Sequence, residues 1–195
     1  MPKLTIEKLN IIVEKLNEIH DEYTFFLETG TLVGETTLNV QPYFEKVYTI
    51  ELSERYYNYF NDVKIQNNYD NIFNYFGDSS VVISKIIESL EKKDKVIFWL
   101  DGHWSSGDTA KGEKDCPLIE ECKSIDLLYK SNKGIILIDD YRLFGTNIDQ
   151  DWSSITTENI LKCFNNFKII QYFVYDDVLI LLIENENLYF NNCNK

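Results

Sequence analysis

Two apolar runs constrain this chain more than any other feature. KVIFWL (95–100) and GIILID (134–139) each stay apolar across five consecutive residues and then meet aspartate. A strand with one wet face alternates; a run that is apolar on both parities is a strand buried on both faces, as in the parallel sheets of α/β proteins. The rest of the sequence supplies the helices such a sheet needs. Leu4, Leu9, Ile12, Val13, Leu16 and Ile19 recur at helical spacing and predict an amphipathic helix over 5–21, within an N-terminal segment of 1–22 that covers one face of the sheet.

From residue 24 onward strand and helix patterns alternate. A short apolar run at 23–27 leads into Glu28 and a glycine loop, and a helix follows from Gly34. VYTIEL (47–52) reads as the next strand, and Ser53 stands where it would cap the helix that begins SERYYNYF. A third strand is expected at 72–76, then a helix opened by GDSS (77–80) and running to 93. Pro117 begins a helix reaching 130, and another is expected at 156–164. FKIIQYFVY (167–175) and DVLILLIE (177–184) are separated by little more than Asp176 and Asp177, the spacing of a tight hairpin. No repeat or Pro/Gly-rich linker interrupts this order, so 1–195 reads as one domain. Five βα units closed by an antiparallel hairpin make an open, mainly parallel, seven-stranded α/β sheet with helices on both faces.

Charge narrows the partners. Nineteen basic against 32 acidic side chains leave a net charge of −13, which repels phosphate backbones and anionic bilayers, so neither nucleic acid nor membrane is an expected partner. No stretch approaches the roughly 18 apolar residues that span a bilayer, and MPKLTIEKLN is amphipathic rather than signal-like, which predicts a cytoplasmic protein, in the host cytoplasm if the source is viral. Cys116, Cys122, Cys163 and Cys193 show no CxxC spacing and read as reduced structural thiols. With His20 and His103 as the two histidines, any metal would rest mainly on carboxylates. His20 falls at the end of the first helix, where an imidazole suits the dipole.

Ligands of open α/β sheets bind outside the carboxyl ends of the strands, and here those ends carry acids and small residues. After the first strand comes ETGTLVG, Glu28, Thr29 and Gly30 through Gly34; Gly30 permits a tight turn and Gly34 lets a helix N-terminus approach a ligand. Glu51 ends the second strand, placed to accept hydrogen bonds from two vicinal ribose hydroxyls. Asp78 and Ser79 follow the third, where an acid can take the exocyclic amine of adenine. In this order the three describe a groove shaped for a nucleoside. A second group lies beyond it: Asp101, Gly102 and His103 follow the fourth strand, and Asp139 and Asp140 the fifth. Three carboxylates on one rim repel, and a hard divalent cation such as Mg²⁺ would neutralise Asp101, Asp139 and Asp140.

The pattern resembles the class I S-adenosylmethionine-dependent methyltransferases over about residues 22–184. Its ETGTLVG loop departs from the commoner Gly-x-Gly-x-x-Gly form and is similar to the Glu-x-Gly-x-x-x-Gly loop of the macrocin O-methyltransferase-like sugar O-methyltransferases. The resemblance implies a Rossmann-like fold, S-adenosylmethionine as cofactor, Glu28, Gly30 and Gly34 along its methionine and ribose, Glu51 on the ribose diol and Asp78 at the adenine. It also implies a Mg²⁺ site at Asp101, Asp139 and Asp140, with His103 as general base. Dimers are common among the related enzymes, which by analogy implies a homodimer.

The loop 104–116 is polar and long enough to act as a lid over an acceptor, with Trp104 stacking on a sugar ring and Lys111 and Lys114 meeting a phosphate if the acceptor is a nucleotide-sugar. RLFGTNIDQDW (142–152), beginning with Arg142, forms the opposite wall. The expected activity is Mg²⁺-dependent O-methylation of a sugar hydroxyl, in glycan biosynthesis or on a nucleotide-sugar or glycosylated small molecule. Two alternatives remain beside it: a catechol-like or other small diol as acceptor, and a non-catalytic binding module that keeps the cofactor groove.

Overall fold

The computed structural model describes residues 4–103, 110, 116–148 and 150–185. Its strands are β1 Phe25–Thr29, β2 Lys46–Glu51, β3 Ile72–Phe76, β4 Val96–Leu100, β5 Lys133–Ile138, β6 Lys168–Tyr175 and β7 Val178–Glu184. They form one sheet in the order β3-β2-β1-β4-β5-β7-β6, parallel from β3 to β5, with β7 antiparallel to both neighbours. The expected architecture is the one that forms. Among the described residues no helix is long and apolar enough to cross a membrane.

The helices are α1 Ile6–Lys15, α2 Glu35–Val40, α3 Glu54–Gln66, α4 Ser79–Ser89, α5 Leu118–Leu128 and α6 Thr157–Leu161. The two parities of the central strands explain why both faces are covered. Val96, Phe98 and Leu100 of β4 enter a core with Ile83 and Ile87 of α4, Cys122 and Ile125 of α5 and Ile160 of α6. Ile97 and Trp99 enter the opposite core with Leu9 and Ile12 of α1, Val40 of α2 and Phe60 of α3. Burying aliphatic and aromatic side chains is worth about 1.5–3 kcal/mol each, so a doubly apolar strand ties the two layers together.

Several boundaries move. The first helix stops at Lys15, short of 21, because Asn17 takes a left-handed conformation (φ +56°) that ends it, and His20 enters a 3₁₀ turn with its ring 5.2 Å from that of Phe44. The first strand extends through Thr29, since Glu28 and Thr29 pair with β2 on one side and β4 on the other. Both are therefore buried strand residues instead of loop residues. Ser53 precedes α3 as expected but makes no side-chain cap; its N–H goes to Glu51. The helices α4, α5 and α6 end earlier than 93, 130 and 164. The hairpin turn is as tight as its spacing requires, with Asp176 and Asp177 both at positive φ (+47° and +64°), the pattern of a two-residue primed turn.

From β1 the chain winds outward to β2 and β3, then crosses back to β4. The order reverses between β1 and β4, and the crevice above that pair is where such sheets bind ligands.

Candidate active site

The glycine loop is folded hard against the neighbouring strand end. Gly30 (φ +86°) sits so close to the Asp101 carbonyl that a Cβ would collide with it. Gly34 (φ +82°) starts α2 and faces the Phe60 ring of α3, which leaves no room for a side chain. Packing on α3 thus fixes this glycine, where the sequence pointed to ligand approach. Between them Leu32 has φ +49°, an uncommon conformation for a residue with a side chain, and its N–H is held by Glu51 Oε2 at 2.7 Å.

Three acids serve this side. Glu28 turns beneath the loop: its Oε2 accepts from Thr37 and, at 2.9 Å, from Thr49, whose hydroxyl lies 2.5 Å from that of Thr31. Burial pushes the Glu28 carboxyl up to about 7 against the pull of the Thr37 and Thr49 hydroxyls. Glu51 is clasped by two backbone N–H groups, Leu32 on Oε2 and Ser53 on Oε1, both at 2.7 Å. A carboxylate oxygen accepts two bonds, so each retains a lone pair for a diol. Asp78 caps α4, with Oδ1 accepting the N–H (2.9 Å) and hydroxyl (2.6 Å) of Ser80.

Beyond the Gly30 contact the ends of β4 and β5 meet. His103 has its side chain 5% exposed, with Nε2 3.1 Å from Asp140 Oδ2 and Nδ1 3.5 Å from Asp101 Oδ1. The Trp152 ring stands edge-on to the imidazole, centroids 5.0 Å apart at 70°, and sets its plane. Asp140 adopts a left-handed conformation (φ +56°), which turns its carboxylate back to His103 and, through Oδ1 at 2.5 Å, to Arg142. Arg142 also pairs with Asp177 of the hairpin turn, whose Oδ1 accepts the Arg142 N–H at 2.8 Å. Burial would raise the Asp140 carboxyl, but the bond and charge of His103 and the charge of Arg142 hold it below the usual carboxylate range. Asp101 goes the other way: burial, then the charges of Asp139 and Asp140, raise it well above that range.

Among the described residues, Asp101, His103 and Asp140 bring ligand atoms within 4.8 Å of one another. Asp139 is not part of that group, although the sequence placed it beside Asp101 and Asp140 on the rim. Asp139 and Asp140 both follow the end of β5, and the left-handed backbone at Asp140 sends the two carboxylates to different surroundings, although Asp139 still acts on Asp101 through its charge. Asp139 is itself buried, and burial pushes its carboxyl up to about 6 against the pull of the Asp140 N–H and the Lys8 charge. His103 stands between Asp101 and Asp140. The carboxylates fit a divalent cation: Asp101 Oδ1 and both Asp139 oxygens are buried with no hydrogen-bond partner among the described residues, and carboxylate oxygens are ordinary ligands of Mg²⁺ or Mn²⁺. Trp104, Lys111, Lys114 and most of the 104–116 lid lie outside the described residues. Trp152, Asp177 and Glu121 are site residues that sequence reasoning passed over; only the hairpin turn of Asp177 and the 142–152 wall holding Trp152 were visible as signals.

Neither a protein-family model nor a curated protein sequence matches the chain. Solved structures do. A Streptococcus mutans protein described as a methyltransferase, in complex with SAH, superposes with a TM-score of 0.56 at 16% identity, over 94% of this chain and 99% of that one. A Staphylococcus aureus protein described as a caffeoyl-CoA O-methyltransferase gives 0.61 at 12% identity, over 94% and 86%. A Clostridium thermocellum protein described as an rRNA-methylase gives 0.60 at 15%, over 94% and 98%. At such identities the likeness carries the fold alone. The chain has the Rossmann-like fold of class I methyltransferases, with the terminal hairpin in place.

Proposed function

We propose that this chain is an S-adenosylmethionine-dependent O-methyltransferase that acts on a sugar hydroxyl, free or carried by a glycan, nucleotide-sugar or small molecule. We propose further that a divalent cation, Mg²⁺ in the cell, is held by Asp101 and Asp140 beside His103. One observation carries the reading: Gly30 of the glycine loop packs against the Asp101 carbonyl, so that loop and a histidine set between two carboxylates lie side by side at the strand ends.

Each residue then has a task. Glu51 offers its remaining lone pairs to a ribose diol, and Asp78 offers its remaining oxygen to an amine. Asp140 accepts the His103 Nε2–H, which leaves Nδ1 as the proton acceptor, facing the 3.5 Å gap to Asp101. An acceptor hydroxyl entering that gap gives its proton to Nδ1 while its oxygen takes the methyl group, and the sulfonium leaves as a neutral thioether. When bound, the cation lowers the pKa of the hydroxyl and orients its oxygen. Trp152 keeps the imidazole from rotating away. Holding the two reacting centres in line contributes up to ~7–11 kcal/mol in favourable systems.

Transfer of labelled methyl from S-adenosylmethionine to a panel of free sugars, nucleotide-sugars, glycans and catechols, with and without EDTA, tests this. The expected result is label on a sugar oxygen that EDTA abolishes and Mg²⁺ restores. Label on a catechol alone overturns the acceptor, undiminished turnover in EDTA overturns the cation, and SAH binding with no transfer to any acceptor favours a binding module.

A further inference from the structure

Asp140 stands at the N-cap of the 3₁₀ turn Tyr141–Leu143. The first N–H groups of a helical turn have no partner within it, and an aspartate at the N-cap ordinarily turns its carboxylate onto one of them. Asp140 makes no such bond. Its carboxylate is committed to His103 Nε2 at 3.1 Å and to the Arg142 guanidinium at 2.5 Å. The cap comes instead from the hairpin between β6 and β7. The Tyr141 N–H donates to the Asp177 carbonyl at 2.9 Å, and the Arg142 N–H to Asp177 Oδ1 at 2.8 Å. The third N–H, that of Leu143, closes the turn on the Asp140 carbonyl at 2.8 Å.

The hairpin gives up its preferred residue to supply this cap. Asp177 is the second residue of a two-residue primed turn, at φ +64°, where glycine is favoured. A glycine there would have no oxygen for the Arg142 N–H. The turn is also anchored: Lys8 of α1, 9% exposed, donates to the Asp176 carbonyl and pairs with Asp176 Oδ2, both at 2.9 Å.

We propose that Asp177 is a positioning residue for Asp140: it caps the 141–143 turn in place of the turn's own N-cap residue, which leaves the Asp140 carboxylate free to hold His103. Without the Asp177 carboxylate the Arg142 N–H loses its acceptor, and Asp140 turns from His103 toward it. The consequence for turnover rests on the proposed methyl transfer; the cap and its hold on His103 do not.

The experiment compares the full chain with Asp177→Gly and Asp177→Asn. Glycine suits the turn and removes the cap, whereas asparagine suits the turn and keeps a capping oxygen without the charge. With ¹⁵N-labelled histidine, the ring-nitrogen shifts of His103 are read by NMR at fixed pH and told from those of His20, the other histidine, by His20→Gln. The His103 Nε2 shift is expected to move in Asp177→Gly and to stay near the wild-type value in Asp177→Asn. On whichever acceptor the wild type methylates, kcat is expected to fall about tenfold in Asp177→Gly with KM within about twofold, and to return to within about threefold in Asp177→Asn. An unmoved His103 shift in Asp177→Gly overturns the proposal. So does an equal shift in Asp177→Asn, which would mean that Asp177 acts through its charge on Arg142. Should Asp177→Gly fail to fold, Asp177→Ala carries the same comparison. A moved His103 shift with undiminished kcat, or a wild type that transfers no methyl group, sinks the functional reading and leaves the cap standing on the shifts.

Discussion

The two sides of the crevice treat their carboxylates in opposite ways. On the β1–β2–β3 side Glu28, Glu51 and Asp78 are each held by donors: threonine hydroxyls for the first, backbone N–H groups for the second, and the N–H and hydroxyl of Ser80 for the third. On the β4–β5 side acids crowd together with few donors. Asp101 and Asp139 are raised by burial and by their neighbours, and Asp140 is held low by His103 and Arg142. A carboxylate with half its lone pairs fixed by the protein is a rigid mould for neutral hydroxyls and amines. A crowd short of donors instead takes up a proton or a cation. On the proposed function, the first side shapes a ligand and the second moves charge.

The largest effect expected from that division is on turnover. His103→Ala should lower kcat by about 10²–10⁴, recovering in part at higher pH as the acceptor hydroxyl ionises unaided, while SAH affinity by titration calorimetry stays within about twofold. If SAH affinity falls as far as kcat, the two sides are not separate in function.

The next effect belongs to the ligand-shaping side and reads out in stability. The Glu28 carboxyl is held at about 7 in the folded chain against an ordinary 4.5. As pH rises from 4.5 toward 7 the unfolded chain releases this proton and the folded chain keeps it, so stability falls across that window and levels off above it. The loss is about 3 kcal/mol for a fully buried group displaced this far. Glu28→Gln should remove that share of the slope in urea unfolding between about pH 4 and 8. A slope identical to the wild type would mean that Glu28 is ionised in the fold, and that this side too holds an unsatisfied charge.

How far these sides were legible in the sequence follows from what sets each residue. The sheet order and hairpin were legible because VIFWL and GIILI are apolar on both parities and because only two residues separate the last strands. The acids at the strand ends were legible for the same reason: they interrupt those runs. Which way each acid points was not. Glu28 looked like a loop residue until pairing with both β2 and β4 extended its strand, and Asp139 and Asp140 looked equivalent until a left-handed turn at Asp140 sent them to different surroundings. Gly34 was legible as obligatory, but its reason, the Phe60 ring, lies 26 residues away in the chain. Trp152 and Glu121 join the site through tertiary contacts to which no local spacing points.

Asp139 offers a smaller effect that sharpens the contrast within the charged side. Its place outside the Asp101–His103–Asp140 group means that Asp139→Asn should weaken Mn²⁺ binding, followed by EPR, by about tenfold or less, whereas Asp101→Asn should weaken it by about 100-fold. Equal losses would show that Asp139 swings into the group when the ion arrives, as the order of residues on the rim first implied.

The smallest effect is expected at Arg142, and its sign decides what kind of charge centre this is. The guanidinium lies 2.5 Å from Asp140 Oδ1 and is shared with Asp177. It already supplies a positive charge where a cation would draw on Asp140, so the two compete for one oxygen. Arg142 has somewhere else to go, because Asp177 holds it independently through side chain and backbone. On that account Arg142→Ala should tighten Mn²⁺ binding by about fivefold, with the gain shrinking as salt screens the half-exposed guanidinium. If binding weakens instead, Arg142 is what aims Asp140 at the ion, and the charged side is preorganised by its own arginine much as the other side is by its backbone N–H groups.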